Sequence, residues 1–176
     1  MIYLQANLNS LAGHAQAVMQ AALEKSEYIS LISVMKKPYS AVPARTVHDA
    51  LLSPLSPMKA AELPGIREWP YGGTGDNHHI MLIYSCTSEF NRSVCSLGNL
   101  FEKRNCPENI TFYTDGYAWL STVTLDGLAF FVLKTKKEKA ELEALGLTFR
   151  EDPPYPPYPL PRDSCLKDNR ETAGLI

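Results

Sequence analysis

No apolar run in this chain approaches the roughly 18 residues that a membrane-crossing helix needs, so no helical membrane anchor is expected. A basic excess is missing too. Lys and Arg number 17 against 19 Asp and Glu, a formal net charge of −2, whereas nucleic-acid binders usually present a positive stripe. From Met1 to Gly13 there is no basic n-region, and Asn7, Asn9 and Ser10 interrupt any apolar stretch. No secretory signal is therefore expected, and the cytoplasm is the expected compartment. Solenoid-length repeats are absent. Cysteine is sparse: Cys86, Cys95, Cys106 and Cys165. A helix from Thr87 to about Arg104 would be about 27 Å long and would hold the first three thiols farther apart than the roughly 7 Å between Cα atoms that a disulfide permits. Reduced thiols are the expectation. No motif implies a cofactor or a metal.

What is present is ordinary globular material, 45% hydrophobic and 20% charged over 176 residues. A chain of this length buries about 70% of its unfolded surface and needs no covalent staple. A single α+β domain over 1–150 is expected, with a Pro-rich middle at 38–70 and a Pro-rich extended arm at 151–176.

The elements follow from periodicity. Asn9 or Ser10 can cap a first helix whose Leu11, Ala15, Val18, Met19, Ala22 and Leu23 share one face. Tyr28 to Met35 reads as a strand. The middle segment holds six prolines and allows only short helices, one over Val47–Leu52 and a turn or two from Ser56 through Glu62. Tyr71 to Asn77 reads as a flexible loop. It leads into an apolar strand, His79 to Ser85. Thr87 or Ser88 then caps a helix with Phe90, Val94, Leu97, Leu100 and Phe101 on one stripe.

Three strands follow, Ile110–Tyr113, Tyr117–Thr124 and Leu128–Leu133, joined at Asp115-Gly116 and Asp126-Gly127. Asp-Gly favours primed two-residue turns. Two such turns would oppose Phe112 to Trp119, Tyr113 to Ala118 and Val123 to Phe130. The core face would carry Ile110, Phe112, Tyr117, Trp119, Val123, Phe130 and Val132. The opposite face, with Tyr113, Thr122 and Thr124, would be left for a covering helix or a partner. Thr135 with Glu138 forms a capping box for a helix that Gly146 stops. The strand, helix, strand order from His79 onward implies a crossover. The expected fold is a mixed sheet with a C-terminal three-stranded antiparallel meander and helices packed on it.

Chemistry has few places to reside. Gly72-Gly73-Thr74-Gly75 precedes a strand and lacks a following Lys-Ser or Lys-Thr, so it is no P-loop. His78 with Asp76 could serve acid–base work, but His78 and His79 would point to opposite strand faces and could not share a metal. Cys86 lies before a helix, where the dipole could favour a thiolate; a buried structural thiol is the plainer reading. His14 and His48 belong to no motif. The sequons at Asn91 and Asn109 carry little weight without a secretory signal. In the tail, the PxxP spacings Pro154–Pro157 and Pro156–Pro159 suit an aromatic groove, although wrapping the chain's own domain fits better. The reading that follows is a non-catalytic cytosolic protein that binds another protein, with an inhibitor or immunity-type partner of a toxin or enzyme as one form. The alternative is a small enzyme with a His- or Cys-based site near the 71–79 loop or Cys86.

Overall fold

The computed structural model describes residues 1–34, 52–73, 79–102, 107 and 109–161. Asp76, His48, His78, Cys106, Cys165 and the segment from 162 lie outside the described residues, as does nearly all of the helix expected at 47–52.

The chain runs β1 (Ile2–Asn7), α1 (Leu8–Gly13), α2 (Ala15–Lys25), β2 (Tyr28–Val34), a 3-10 turn (Ser53–Met58), β3 (Lys59–Ile66), β4 (Glu68–Trp69) and β5 (Gly72–Gly73). Then come β6 (His79–Ser85), α3 (Ser88–Ser96), β7 (Asn109–Thr114), β8 (Tyr117–Val123), β9 (Leu128–Leu133), α4 (Lys136–Ala144) and β10 (Arg150–Glu151). Eight strands make one sheet in the order β10-β1-β9-β8-β7-β2-β6-β3, and β4 with β5 makes a small hairpin. Every ladder of the sheet is antiparallel. The fold is thus α+β, but its sheet is not mixed. The crossover from β6 through α3 to β7 does return a strand in the same direction, yet β2 lies between the two and is antiparallel to both. β2 has a reason to be central: Ile29, Leu31 and Ile32 are all fully buried, so both its faces are covered.

Helices cover one face. Leu11, Val18, Met19, Ala22 and Leu23 of α1 and α2, Phe90 and Val94 of α3, and Leu142 of α4 pack on Leu4, Ile29, Leu31, Ile110, Phe112, Leu120 and Phe131 of the sheet. The first helix is capped two or three residues earlier than expected, by Asn7, whose side chain accepts from the Asn9 amide at 2.8 Å. It breaks at His14 before α2 continues the same apolar face. α3 ends at Ser96, well short of Arg104; Gly98, at φ 89°, turns the chain, and Leu100 and Phe101 are buried from outside the helix.

The other face has its own cluster: Ile32, Met81, Ile83, Tyr113 and Ala118 with Trp69 of the hairpin and Leu160 of the arm. The meander is as expected at β7–β8–β9, but its register is not. Asp115-Gly116 is the expected two-residue turn, with φ of 53° and 76°. A bulge then places Phe112 opposite Leu120 while Tyr113 stays opposite Ala118, so Trp119 is the extra residue. The second turn has four residues, Thr124 to Gly127, which puts Val123 opposite Leu128 and Ser121 opposite Phe130. A one-residue shift exchanges the two faces. Leu120, Ala129, Phe131 and Leu133 therefore face the helices with Ile110, Phe112 and Trp119.

Two further strands differ from expectation. The turn at Ser53–Met58 stops before Lys59, and the residues expected to continue it belong to β3. Pro64 has no N–H to donate, which an edge strand tolerates, and β3 is an edge with register shifts at both ends. At the N-terminus, β1 pairs with β9 along all six of its residues.

The arm lies against the sheet face opposite the helices. The Asp152 amide donates to Tyr3 O at 3.0 Å, Ala118 N donates to Tyr158 O at 2.8 Å, and Leu160 N donates to Gly116 O at 2.8 Å. Tyr155 packs edge-on to Tyr3 and Tyr71, each at 4.8 Å between centroids, and Tyr71 stacks on Phe130 at 4.3 Å. Residues 152–160 therefore wrap their own domain.

Candidate partner-binding site

Tyr113, Thr122 and Thr124 do not form an exposed surface. Tyr113 and Thr122 are fully buried and Thr124 nearly so. Their hydroxyls work inside the molecule: Tyr113 meets Ser30 Oγ at 3.1 Å, Thr122 Oγ1 accepts from Ile110 N at 2.9 Å, and Thr124 Oγ1 donates to Pro107 O. The face expected to stay open for a partner is closed by the β4–β5 hairpin and the arm. Asn109, of the second sequon, is also fully buried, with its amide donating to Pro70 O at 3.0 Å.

Cys86 directly follows β6 and packs against the helix-side core. Burial pushes its thiol up to about 12, the opposite of the shift that a helix N-terminus would give. Cys95, on α3, is exposed, and both are free thiols. His79 starts β6, with its ring 4.9 Å from that of Trp69. At about 3.3 Å per residue, β6 holds its two ends some 20 Å apart, so His79 and Cys86 are not brought together. Among the described residues, no group of three His, Cys, Asp or Glu is placed to hold a metal ion.

Exposed aromatic surface gathers at the β7–β8 turn. Tyr117 is 52% exposed and Tyr158 40%. A β-bridge between Tyr117 and Pro159 seats the arm along the turn as a ridge, with Tyr117 and Pro159 on one side of it and Tyr158 on the other, near Tyr71, and the flanking bonds of Ala118 and Leu160 fix its backbone. Pro153, Pro154, Pro156 and Pro159 are exposed along the same arm, while Leu160 is buried.

Beside the ridge opens a cavity of about 600 Å³, lined by Trp119, Tyr117, Val132, Pro157, Met1 and Lys25 among others. The bulge at Trp119 turns its indole toward α2, where Nε1 donates to Ser26 Oγ at 2.9 Å. Lys25 lies at the C-terminal end of α2, where the helix dipole favours a cation. Its Nζ sits 4.3 Å from the Trp119 ring centroid and 2.8 Å from Glu138 Oε1. Glu138 Oε2 accepts from Lys134 N at 2.6 Å and Thr135 N at 2.9 Å, which completes the expected capping box. Partial burial alone would raise the Glu138 carboxyl, but these donors outweigh it and hold the carboxyl below its ordinary value. Across the mouth, Lys134 pairs with Asp115 of the turn, and that contact raises the ammonium.

No known protein family matches this chain, and no curated protein or solved structure matches it significantly.

Tyr117, expected on the core face, follows a turn of the expected register and is exposed because it stands at the hairpin tip, directly after Asp115-Gly116. Lys25 and Glu138 lie 113 positions apart, and no local pattern links them.

Proposed function

We propose that this chain is a non-catalytic cytosolic protein that binds another protein through the ridge of Tyr117, Tyr158 and Pro159, with an inhibitor or immunity-type protein facing a toxin or enzyme as its specific form. One observation carries the reading: two half-exposed tyrosines are held on a backbone that hydrogen bonds fix at both ends of the ridge. Rigid aromatic anchors contribute contact area at little entropic cost, and they dominate binding when a charged rim surrounds them. Lys134 and Asp115 supply such a rim. Slight net acidity adds electrostatic attraction toward a basic partner. The enzymatic alternative at Cys86 loses support from a thiol that burial keeps protonated at neutral pH; Asp76 and His78 lie outside the described residues.

The test is capture from a lysate of the native source, with the wild type and a Tyr117→Ser/Tyr158→Ser variant as paired baits. One stoichiometric, salt-resistant protein should be retained by the first and lost by the second, with equal melting temperatures for the two baits. A wild-type bait that retains nothing, or the same set retained on both, overturns the reading.

A further inference from the structure

The other side of the ridge, where Tyr158 lies near Tyr71, opens on a second cavity of about 460 Å³, within the range of small-molecule sites. Asp152, Tyr155 and Tyr158 stand three residues apart, the repeat of an extended Pro-rich chain, so the arm turns one edge toward the cavity. All three line it, together with Tyr71 and Pro157. The planes of Tyr155 and Tyr158 stand at 81° and 63° to that of Tyr71, so the rings form walls of different orientation. One face of Tyr71 rests on Phe130, yet none of the three tyrosines is fully buried. Tyr71 holds φ 60° in the hairpin turn after Pro70, a position whose ordinary occupant is glycine. A bulky residue stays there only where its neighbours hold it.

The charge around these rings has one sign. Asp152 is the single lining residue that is charged at neutral pH, and among the described residues its carboxylate makes no ion pair. Arg150, two positions before it, donates instead to Gln5 Oε1. Burial is the main reason that the Tyr71 and Tyr155 phenols are raised, and the Asp152 charge raises both further. The field of the carboxylate therefore reaches two of the rings, which stay neutral. Among the described residues no cation of the chain itself lies over them; the one cation over a ring is Lys25, at Trp119. Neutral aromatic faces beside a lone carboxylate attract a cation. The Tyr155 hydroxyl is taken up by Phe131 O and Tyr71, and much of the remaining wall is proline. A primary ammonium would find Asp152 as the main acceptor for three N–H groups, whereas a fully methylated ammonium has none to satisfy.

From these observations we propose that this cavity binds a methylated ammonium group, its methyls against Tyr71, Tyr155 and Tyr158 and its charge beside Asp152. Two sources carry that group, a free quaternary ammonium such as choline and a trimethylated lysine side chain. The proposal goes beyond the protein-binding reading and does not rest on it.

NMR titration of the full chain tests it, with choline and with a trimethyllysine peptide of otherwise uncharged residues. Saturable binding at one site is expected from choline if the source is free, from the peptide if it is a side chain, and from both if the headgroup alone is read. The ligand that binds should do so about tenfold more tightly than its tert-butyl isostere, which lacks the charge, and than its unmethylated amine, which keeps it. Asp152→Asn keeps the backbone bond to Tyr3 O, and Tyr158→Leu keeps apolar bulk. Each should weaken that binding about tenfold without weakening the isostere, at an unchanged melting temperature. No saturable binding by either ligand, an isostere or amine that binds as tightly, or an affinity that Asp152→Asn leaves unchanged would each overturn the proposal. The titration involves no partner protein, so its result is independent of whether the ridge captures one.

Discussion

Gly116 at φ 76° and Asp115 at φ 53° both occupy the left-handed region, which a side chain with Cβ enters at a cost of about 1–2 kcal/mol, less for Asp than for most. Gly116→Ala should therefore lose about 1 kcal/mol in urea unfolding. An unchanged midpoint would show that the turn can relax. Thiol reactivity discriminates at the same scale. With Cys86 pushed up to about 12, only about one molecule in ten thousand carries its thiolate at pH 8, and the thiolate is the species that alkylates. Cys95 is exposed. Iodoacetamide at pH 8 followed by peptide mass mapping should label Cys95 and spare Cys86; equal labelling would place Cys86 in a more open setting. A buried structural thiol is already the plainer reading of Cys86 from the sequence; what the sequence does not give is the packing against the helix-side core by which burial outweighs the helix dipole.

At the scale of elements, signals confined to one segment were readable. His79–Ser85 is a strand to the residue, the Thr135–Glu138 capping box opens α4, and the β7–β8–β9 meander sits at its turn residues. What failed depended on partners distant in sequence. Ile2, Leu4 and Ala6 alternate with Tyr3, Gln5 and Asn7, a strand pattern, but six residues before a helix carry little periodicity until β9 lies alongside. The bulge at Trp119 leaves no local mark, and it moved half the meander to the other face. The arm was legible in character, extended and inclined to wrap its own domain; its anchor was not. Leu160 is 7% exposed in the cluster with Tyr113 and Ala118. Leu160→Ala should cost about 2–4 kcal/mol in denaturant unfolding and should raise amide exchange at Ala118, whose N–H donates to the arm. If exchange at Ala118 does not change, the arm is held by its tyrosines alone.

The whole molecule stores its buried acids in neutral form. Cys86, Tyr84, Tyr113 and Tyr155 are each pushed up to about 12, burial being the largest cause in every case. Unfolded, the thiol would release its proton near pH 9 and the phenols near pH 10. Between those values and about 12 the native state holds more protons than the unfolded state, so stability must fall as pH rises. The loss begins near pH 9 with Cys86, steepens above pH 10 as the three tyrosines join, and levels off only beyond the native values. Glu138 acts in the opposite direction at the acid end. Its carboxyl is lowered in the fold, so its contribution is complete above about pH 4.5 and is lost as pH falls through the native value. Melting temperature against pH should thus be flat near neutrality and drop more steeply on the alkaline side. Tyr113→Phe sacrifices the contact with Ser30 but removes one titrating phenol, so it should lower the plateau and shallow the slope above pH 10. A melting temperature unchanged between pH 9 and 11 would mean that these groups ionise without unfolding the chain, and their surroundings on both faces of the sheet would then have to be open to solvent.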